Sequence, residues 1–415
     1  MGGASRALEE RFDRGWSGSD NRVCAECLTD YALKVVVQAE EVTGEGNCLA
    51  CGQETSAPFD VLLEAFVDGV NFLFEDALNS VMYVSAEGGF VGAETTDSWD
   101  LMEQFVDCFE SENGHLILEE IRSLLDDKTW VNREDPDFGP EAMLGQAWQN
   151  FCNSIKYESR FVFWLDKKSK ADLDQPSEAF TPASALHHVG ELIEELRLYK
   201  TYRAGDVFFR SRTFDKQNSP PSTSRGLGTA PAKTALQGNR MSPAGIPMFY
   251  ASESEVAALA EVSVRLDHNA ASVGTFASTS ELTVVDLTDL PPMPSPFDKE
   301  KRDQRWMISF LKSFVSEISQ PIELGRDQVD YVPTQVMTEY LLRIHESSKR
   351  IDGIRFHSAA HQGGINVALD IANENFIERK MEGKAGALQM QLLSHSAYQA
   401  DVKWTEYDPP LKERL

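Results

Sequence analysis

Apolar residues recur every three or four positions after Pro58, which is the period of an amphipathic helix. The longest run, FDVLLEAFVDGVNFLFEDALNSVMY, keeps this spacing from Phe59 to Val81. Shorter segments, the last of them ASALHHVGELIEELRLY, repeat it as far as Leu198. The pattern predicts a helical bundle, interrupted by a polar linker at residues 167–182.

The pattern changes after Tyr199. Short apolar runs such as VFFRS, PMFYAS and GINVALD alternate with polar loops and a few helical segments. This alternation predicts a mixed α+β domain. A loop at 215–246, rich in Ser, Pro and Gly, is long enough for us to expect that it covers a ligand. A chain of 415 residues exceeds one core, and we divide it into a cysteine segment (1–57), a helical domain (58–190) and an α+β domain (191–415).

Four of the six cysteines form a paired motif, C-x2-C-x20-C-x2-C. Each two-residue gap allows a tight turn to present both sulfurs to one point, so two such pairs can surround one Zn²⁺ tetrahedrally. A site closed by four thiolates has no open position, and its zinc is therefore structural. The predicted ligands are Cys24, Cys27, Cys48 and Cys51.

The charge is unevenly distributed. The net charge of −27 argues against broad nucleic-acid binding, because a polyanion is repelled at long range. Eight Lys or Arg but only two Asp lie between Lys200 and Arg240, which suggests a small anionic ligand held locally. The chain has no apolar run of membrane-spanning length and no secretory start, so we expect a cytoplasmic protein without a membrane partner.

One stretch, GNRMSPAGIPMFYASESEVAALAE, places a cation, an aromatic ring and a carboxylate in close succession. Arg240 lies in its turn, Tyr250 at the exit of a short strand and Glu261 near the end of a helix. Ser252 followed by Glu255 forms a capping-box pattern that would start this helix. Taken singly, such residues are more often surface or core groups than catalytic ones.

Two further stretches complete a pattern. TYRAG contributes Arg203 before this stretch, and DGIRFHSAAHQGGINVALD contributes Ser358 after it. With YVPTQVMTEYLLR, these segments resemble the RES domain family, named for an arginine, a glutamate and a serine, over residues 197–410. The N-terminal half resembles the HEPN-like domain that is sometimes fused ahead of RES domains.

The resemblance implies a fold related to the ADP-ribosyltransferases and an activity that consumes NAD⁺, in some members by phosphorolysis. Carried over, Arg203, Glu261 and Ser358 are the catalytic set, and Tyr250 and Arg240 bind substrate. NAD⁺ is then a substrate and not a cofactor. One carboxylate suffices, because nicotinamide leaves as a neutral ring and needs no general acid. Arginine suits the pyrophosphate, because its planar fork makes paired hydrogen bonds.

Three functions remain to be compared. NAD⁺ degradation by phosphorolysis or hydrolysis leads, and transfer of ADP-ribose to a protein or nucleic acid is the alternative. A HEPN ribonuclease is disfavoured, because no arginine in the helical region is followed after four to six residues by a histidine. We expect the helical half to be a sensor, oligomerisation or regulatory module of a homo-oligomer. Since unrestrained NAD⁺ loss is toxic, we also expect an inhibitory antitoxin or an activating signal, in either a toxin–antitoxin or an anti-phage defence context.

Overall fold

A computed structural model describes residues 15–80, 82–84, 89–91, 94–109, 113–133, 140–163, 182–215, 217–263, 270–320, 325–378, 388–399 and 413–414. The chain divides into an N-terminal unit, 1–143 with 292–309, and a C-terminal unit, 144–291 with 310–415. The N-terminal unit therefore includes a segment from the second half of the chain. No helix in the described ranges is long and apolar enough to cross a membrane.

Helices and short strands alternate in the N-terminal unit. Its helices are α1 (Tyr31–Ala39), α2 (Phe59–Leu73), α3 (Ala77–Ser80), α4 (Ser98–Glu103) and α5 (Gly114–Leu124). Its strands are β1 (Arg22–Val23), β2 (Val42–Thr43), β3 (Thr55–Pro58), β4 (Phe74–Asp76), β5 (Met82–Val84), β6 (Gly89–Val91), β7 (Thr95–Asp97) and β8 (Thr129–Asn132). They form two three-stranded sheets, ordered β1-β3-β2 and β4-β8-β7, and the hairpin β5-β6.

The apolar run predicted as helical from Phe59 to Val81 is only partly so. Helix α2 ends at Leu73, and Phe74 has extended backbone and pairs with Asn132 of β8. Helical spacing of apolar residues continues across this break, but pairing with a strand distant in sequence decides the conformation. The unit is therefore mixed and is not the purely helical bundle that the pattern predicts.

Segment 292–309 completes the core of the N-terminal unit. Phe297 is buried and stacks on Phe66 of α2, with ring centroids 5.3 Å apart, and contacts Phe105 at 5.8 Å. A Cβ at Gly69 would lie 2.2 Å from the Phe297 ring, so α2 must carry a glycine where this ring crosses it. Arg302 of the same segment donates to Asp68 at 2.6 Å.

The C-terminal unit contains most of the regular structure. Its helices are α6 (Pro140–Asn153), which starts at the end of the N-terminal unit, α7 (Pro182–Glu195), α8 (Ser224–Leu227), α9 (Glu255–Ser263), α10 (Arg305–Ser319), which starts in segment 292–309, α11 (Asp327–Asp330) and α12 (Val332–Arg343). Its strands are β9 (Tyr199–Tyr202), β10 (Val207–Phe214), β11 (Phe249–Ser252), β12 (Ala270–Ser278), β13 (Leu282–Asp286), β14 (Gly353–His357), β15 (Ile365–Leu369), β16 (Phe376–Ile377), β17 (Met390–Gln399) and β18 (Glu413–Arg414).

These ten strands form one mixed sheet, ordered β16-β17-β12-β10-β11-β15-β14-β13-β9, with β18 paired to β17. The predicted α+β character of this half is confirmed. An aromatic cluster forms its core, in which Phe249 of β11 contacts Phe276 of β12 at 5.2 Å and Phe376 of β16 at 4.9 Å.

Side-chain alternation along β11 and β15 positions the candidate site. Phe249 and Ala251 belong to the buried apolar cluster, as does Val367 of the paired strand. Because successive side chains on a strand point to opposite faces, Tyr250, Ser252 and Asn366 lie on the other face. The sheet therefore has one apolar face and one polar face at this place.

Candidate functional site

The four motif cysteines come together as predicted. All four sulfurs lie within 4.8 Å of one another, with separations of 3.5 Å for Cys24–Cys27, 3.5 Å for Cys24–Cys51 and 3.8 Å for Cys27–Cys48. Tetrahedral ligands with Zn–S bonds of about 2.3 Å are about 3.8 Å apart. The sulfurs therefore fit one zinc ion with little rearrangement.

The surroundings of the cysteines also fit a metal. Burial raises the pKa of Cys24 to about 12, and bonding to Cys51 adds to this effect, so several thiolates would not coexist here without a cation. Burial acts the same way on Cys48, but backbone N–H groups outweigh it and lower the pKa of this thiol. Gly52 follows the second pair at φ +75°, a left-handed conformation that glycine adopts without strain.

The second site is built around Glu261 at the end of α9. Ser358 Oγ and Asn366 Nδ2 both donate to Glu261 Oε1, each at 2.6 Å. The backbone N–H groups of Ala360 and His361 donate to Ser358 Oγ at 3.2 and 3.1 Å. These two bonds occupy the acceptor positions of the hydroxyl, so its proton points to Glu261.

Helix α9 starts differently from the prediction. Ser254, and not Ser252, caps it by accepting the N–H of Ala257 at 3.2 Å. Ser252 Oγ instead donates to Asn366 Oδ1 at 2.6 Å, and Glu255 accepts from the hydroxyl of Tyr398. The capping-box interpretation of Ser252 and Glu255 is therefore wrong, because cross-strand hydrogen bonding takes the serine.

Tyr250 and Arg240 are held near one another by backbone groups. The hydroxyl of Tyr250 accepts the N–H of Met241 at 2.7 Å, and burial raises its pKa to about 12, so the phenol is neutral at pH 7. Arg240 donates to the carbonyls of Ile318 and Gln320. Burial lowers the pKa of Arg240, whereas the charge of Glu261 raises it, which places this cation within electrostatic reach of the carboxylate.

Two arginines of β10 lie beside Tyr250 but on the Phe249 face of the sheet, because their neighbour Phe209 pairs with Ser252, and the sequence pattern missed them. Arg210 donates to the carbonyl of Tyr250 at 2.9 Å and lies over the Phe249 ring, while its Nε is buried without a hydrogen-bond partner. Burial, reinforced by Arg212, lowers the pKa of Arg210 to about 9. Burial also lowers the pKa of Arg212, which donates to Gly228 O at 2.8 Å.

These three arginines lack the carboxylate partners that a buried cation normally has. No ion pair joins Arg210, Arg212 or Arg240 to an acidic residue of the described chain. Arg355 on β14 shows the contrast: burial alone would lower its pKa, but hydrogen bonds and ion pairs with Glu253 and Asp286 raise it. Partly buried cations without counter-ions suit an anionic ligand.

The structure does not bring Arg203 into this group. It follows β9, is exposed, and its backbone N–H donates to Asp206 Oδ2 at 2.8 Å. No hydrogen bond or ion pair within the described residues links its guanidinium to Glu261 or Ser358. A catalytic role for Arg203 therefore gains no support from the geometry and stays a prediction.

Glu261, Tyr250 and Arg240 thus provide a fixed carboxylate, an aromatic ring and a cation, a set that can stabilise positive charge at one atom while holding a phosphate nearby. Arg210 and Arg212 lie on the Phe249 face of the sheet, from which Arg210 reaches the carbonyl of Tyr250. Comparison with known families gives two matches. Residues 41–169 match HEPN/RES N-terminal domain 1, and residues 208–390 match the RES domain. The second match includes Arg210, Glu261 and Ser358 but not Arg203. No curated protein and no solved structure matches the chain.

Proposed function

We propose, for a chain that carries a RES domain behind HEPN/RES N-terminal domain 1, that it degrades NAD⁺ by cleaving the nicotinamide–ribose bond. RES domains are generally linked to NAD⁺-related toxin activity. The observation that carries the proposal is the Glu261 carboxylate, fixed by Ser358 and Asn366, with the partly buried cation Arg240 within electrostatic reach of it. We further propose that the fold is related to the ADP-ribosyltransferases and that the zinc is structural.

In this reaction the bond between C1′ of the ribose and the pyridinium nitrogen breaks. The electron pair goes to the nitrogen, and nicotinamide leaves as a neutral ring. Positive charge develops at C1′ and the ring oxygen, and Glu261 stabilises it. A water or phosphate oxygen then bonds to C1′, which is numbered C1″ in the product, giving ADP-ribose or its 1″-phosphate. With water, the released proton passes to Glu261; with phosphate dianion, no proton has to be removed.

The arginines and the tyrosine bind and orient the substrate. Arg210, Arg212 and Arg240 hold the pyrophosphate or an incoming phosphate, because guanidinium groups form charge-assisted hydrogen bonds with such oxygens. Tyr250 stacks on the nicotinamide, with its ring fixed by the Met241 N–H. Ser358 acts as a hydrogen-bond donor to the carboxylate and not as a nucleophile, since its proton is already committed to Glu261.

Product analysis by mass spectrometry tests the proposal. Purified protein incubated with NAD⁺ should release nicotinamide, and Glu261→Gln should reduce the rate at least about a thousandfold, as expected when the stabilising charge is lost. Glu255→Gln is the matched control, because it removes a carboxylate of the same helix that accepts a hydrogen bond from the Tyr398 hydroxyl and not from Ser358 or Asn366. Equal rates for the two variants would remove Glu261 from the mechanism.

Adding phosphate separates the possible products. A 1″-phosphate product that requires phosphate indicates phosphorolysis, and ADP-ribose formed without phosphate indicates hydrolysis. If label from NAD⁺ remains on a protein or nucleic acid, the function is ADP-ribosyl transfer and not NAD⁺ degradation. A homo-oligomer and a restraining partner remain expectations, and the mass of the purified protein in solution tests the first.

A further inference from the structure

Two buried polar residues, Ser252 and Asn366, stand behind the Glu261 carboxylate. Ser252 is 2% exposed and Asn366 is 5% exposed. Ser252 Oγ donates to Asn366 Oδ1 at 2.6 Å, and Asn366 Nδ2 donates to Glu261 Oε1 at 2.6 Å. The two residues are cross-strand neighbours on β11 and β15, so the rigid sheet holds both.

The direction of these hydrogen bonds is determined by the carboxylate. An ionised carboxylate only accepts, so the NH₂ end of the Asn366 amide must face Glu261. The oxygen end then faces Ser252, whose hydroxyl donates to it. Removing the Ser252 hydroxyl leaves a buried amide oxygen unsatisfied, and this loosens the orientation on which Glu261 depends.

Ser358 and Asn366 direct their hydrogen bonds to the same oxygen. Glu261 Oε1 thus has two donors, whereas Oε2 accepts no hydrogen bond from the described residues. We infer that Ser252 and Asn366 are positioning residues that fix Oε1 so that Oε2 faces the ribose. This inference rests on the proposed function, since it assigns which oxygen of the acid meets the substrate.

Variants of the two residues separate positioning from folding. Ser252→Ala should lower kcat for NAD⁺ about tenfold while KM changes less than twofold, because the carboxylate and not substrate binding is disturbed. The matched control is Ser272→Ala, which removes another buried serine hydroxyl of the same sheet, bonded to Pro221 O. It should lower the unfolding temperature similarly but leave kcat unchanged.

Asn366→Asp tests the positioning role through the pH dependence of the rate, which a loss of stability alone would not change. It places a second carboxylate beside Glu261, and two neighbouring acids cannot both ionise easily, so the acidic limb of the pH–rate profile should move up by about one unit or more. The midpoint of the Glu261 titration, followed by the ¹³C signal of its carboxyl group, should move up by a similar amount. That signal is assigned to Glu261 because it is missing from the spectrum of Glu261→Gln.

The outcomes distinguish the two proposals. If wild-type protein releases no nicotinamide, the proposed function fails, and the ¹³C titration still tests the contact between Asn366 and Glu261. If the wild type is active but Ser252→Ala and Asn366→Asp both have the kcat and pH profile of Ser272→Ala, only the positioning inference is overturned. An unchanged ¹³C midpoint in Asn366→Asp overturns it as well.

Discussion

Replacing Arg210 by methionine should stabilise the protein and abolish its activity together. Burial lowers the pKa of Arg210 to about 9, more than three pH units below the ordinary value for arginine. At about 1.4 kcal/mol per pH unit, this is a cost of up to about 5 kcal/mol for keeping the group charged. Methionine has a similar length and no charge, so the substitution removes that cost.

Other contacts reduce the expected gain. The hydrogen bond from Arg210 to Tyr250 O contributes about 1.5–3 kcal/mol and the contact with the Phe249 ring about 1 kcal/mol, and both are lost. The side chain also keeps some solvent contact, which screens its charge. We therefore expect Arg210→Met to raise the free energy of unfolding by about 1–2 kcal/mol at pH 7.

The sign with respect to pH follows from the lowered pKa. The unfolded arginine stays protonated up to about pH 12, whereas the folded one loses its proton more easily. The free-energy cost of keeping Arg210 charged in the folded protein is therefore complete below pH 9 and decreases as the pH rises above it. The difference in the free energy of unfolding between Arg210→Met and wild type should accordingly be constant from pH 6 to 8.

Denaturant unfolding of both proteins, with and without phosphate or ADP-ribose, measures the effect. These anions should stabilise the wild type by supplying the missing counter-ion and should have a smaller effect on Arg210→Met. Lys349→Met is the control, because it removes an exposed cation outside the site. A variant that is less stable than wild type, or stabilised equally by the anions, would refute the idea that Arg210 is a cation lacking its partner.

Three other predictions concern the remaining parts of the molecule. Phe297→Ala should lower the free energy of unfolding by about 3–5 kcal/mol, whereas Phe161→Ala, at a ring that is 77% exposed, should change it by less than about 0.5 kcal/mol. A zinc chelator should lower the unfolding temperature of wild type but not of Cys48→Ser, and metal analysis should find about one zinc per wild-type chain. Burial would raise the pKa of Glu194, but hydrogen bonds from Tyr199 and from serines 347 and 348 lower it to about 2. The ionised Glu194 therefore stabilises the fold above about pH 4.5, and this stabilisation is lost as the pH falls towards 2. In Glu194→Gln the free energy of unfolding should depend less on pH over this interval than in wild type. An equal pH dependence in the two proteins would contradict this role of Glu194.

Features that depend on local spacing could be predicted from the sequence. The zinc ligands are adjacent pairs, and a two-residue gap already determines how two sulfurs meet. Resemblance to the RES domain, confirmed by the family match, also predicted that Glu261 and Ser358 belong together although 97 residues separate them.

Features that depend on packing between residues far apart in the sequence could not be predicted from the sequence. TYRAG and FFRSR both present an arginine after an aromatic residue, and nothing local shows which strand enters the site. The alternation of Phe208, Arg210, Arg212 and Phe214 on one face of β10 was the available signal, since buried rings flank both cations. Asn366 could likewise have been placed beside Ser252 only once the register of β11 and β15 was known.

The position of segment 292–309 also orders events during synthesis. The N-terminal unit lacks Phe297 until the 148 residues from 144 to 291 have been made, which takes about 7–30 s at 5–20 residues per second. Ser358 and Asn366 are synthesised later still. Glu261 therefore obtains its two hydrogen-bond donors only after Phe297, which completes the core of the N-terminal unit, has been made. A nascent chain that ends before residue 350 therefore contains Glu261 but neither Ser358 nor Asn366, the two residues whose side chains hydrogen-bond its carboxylate.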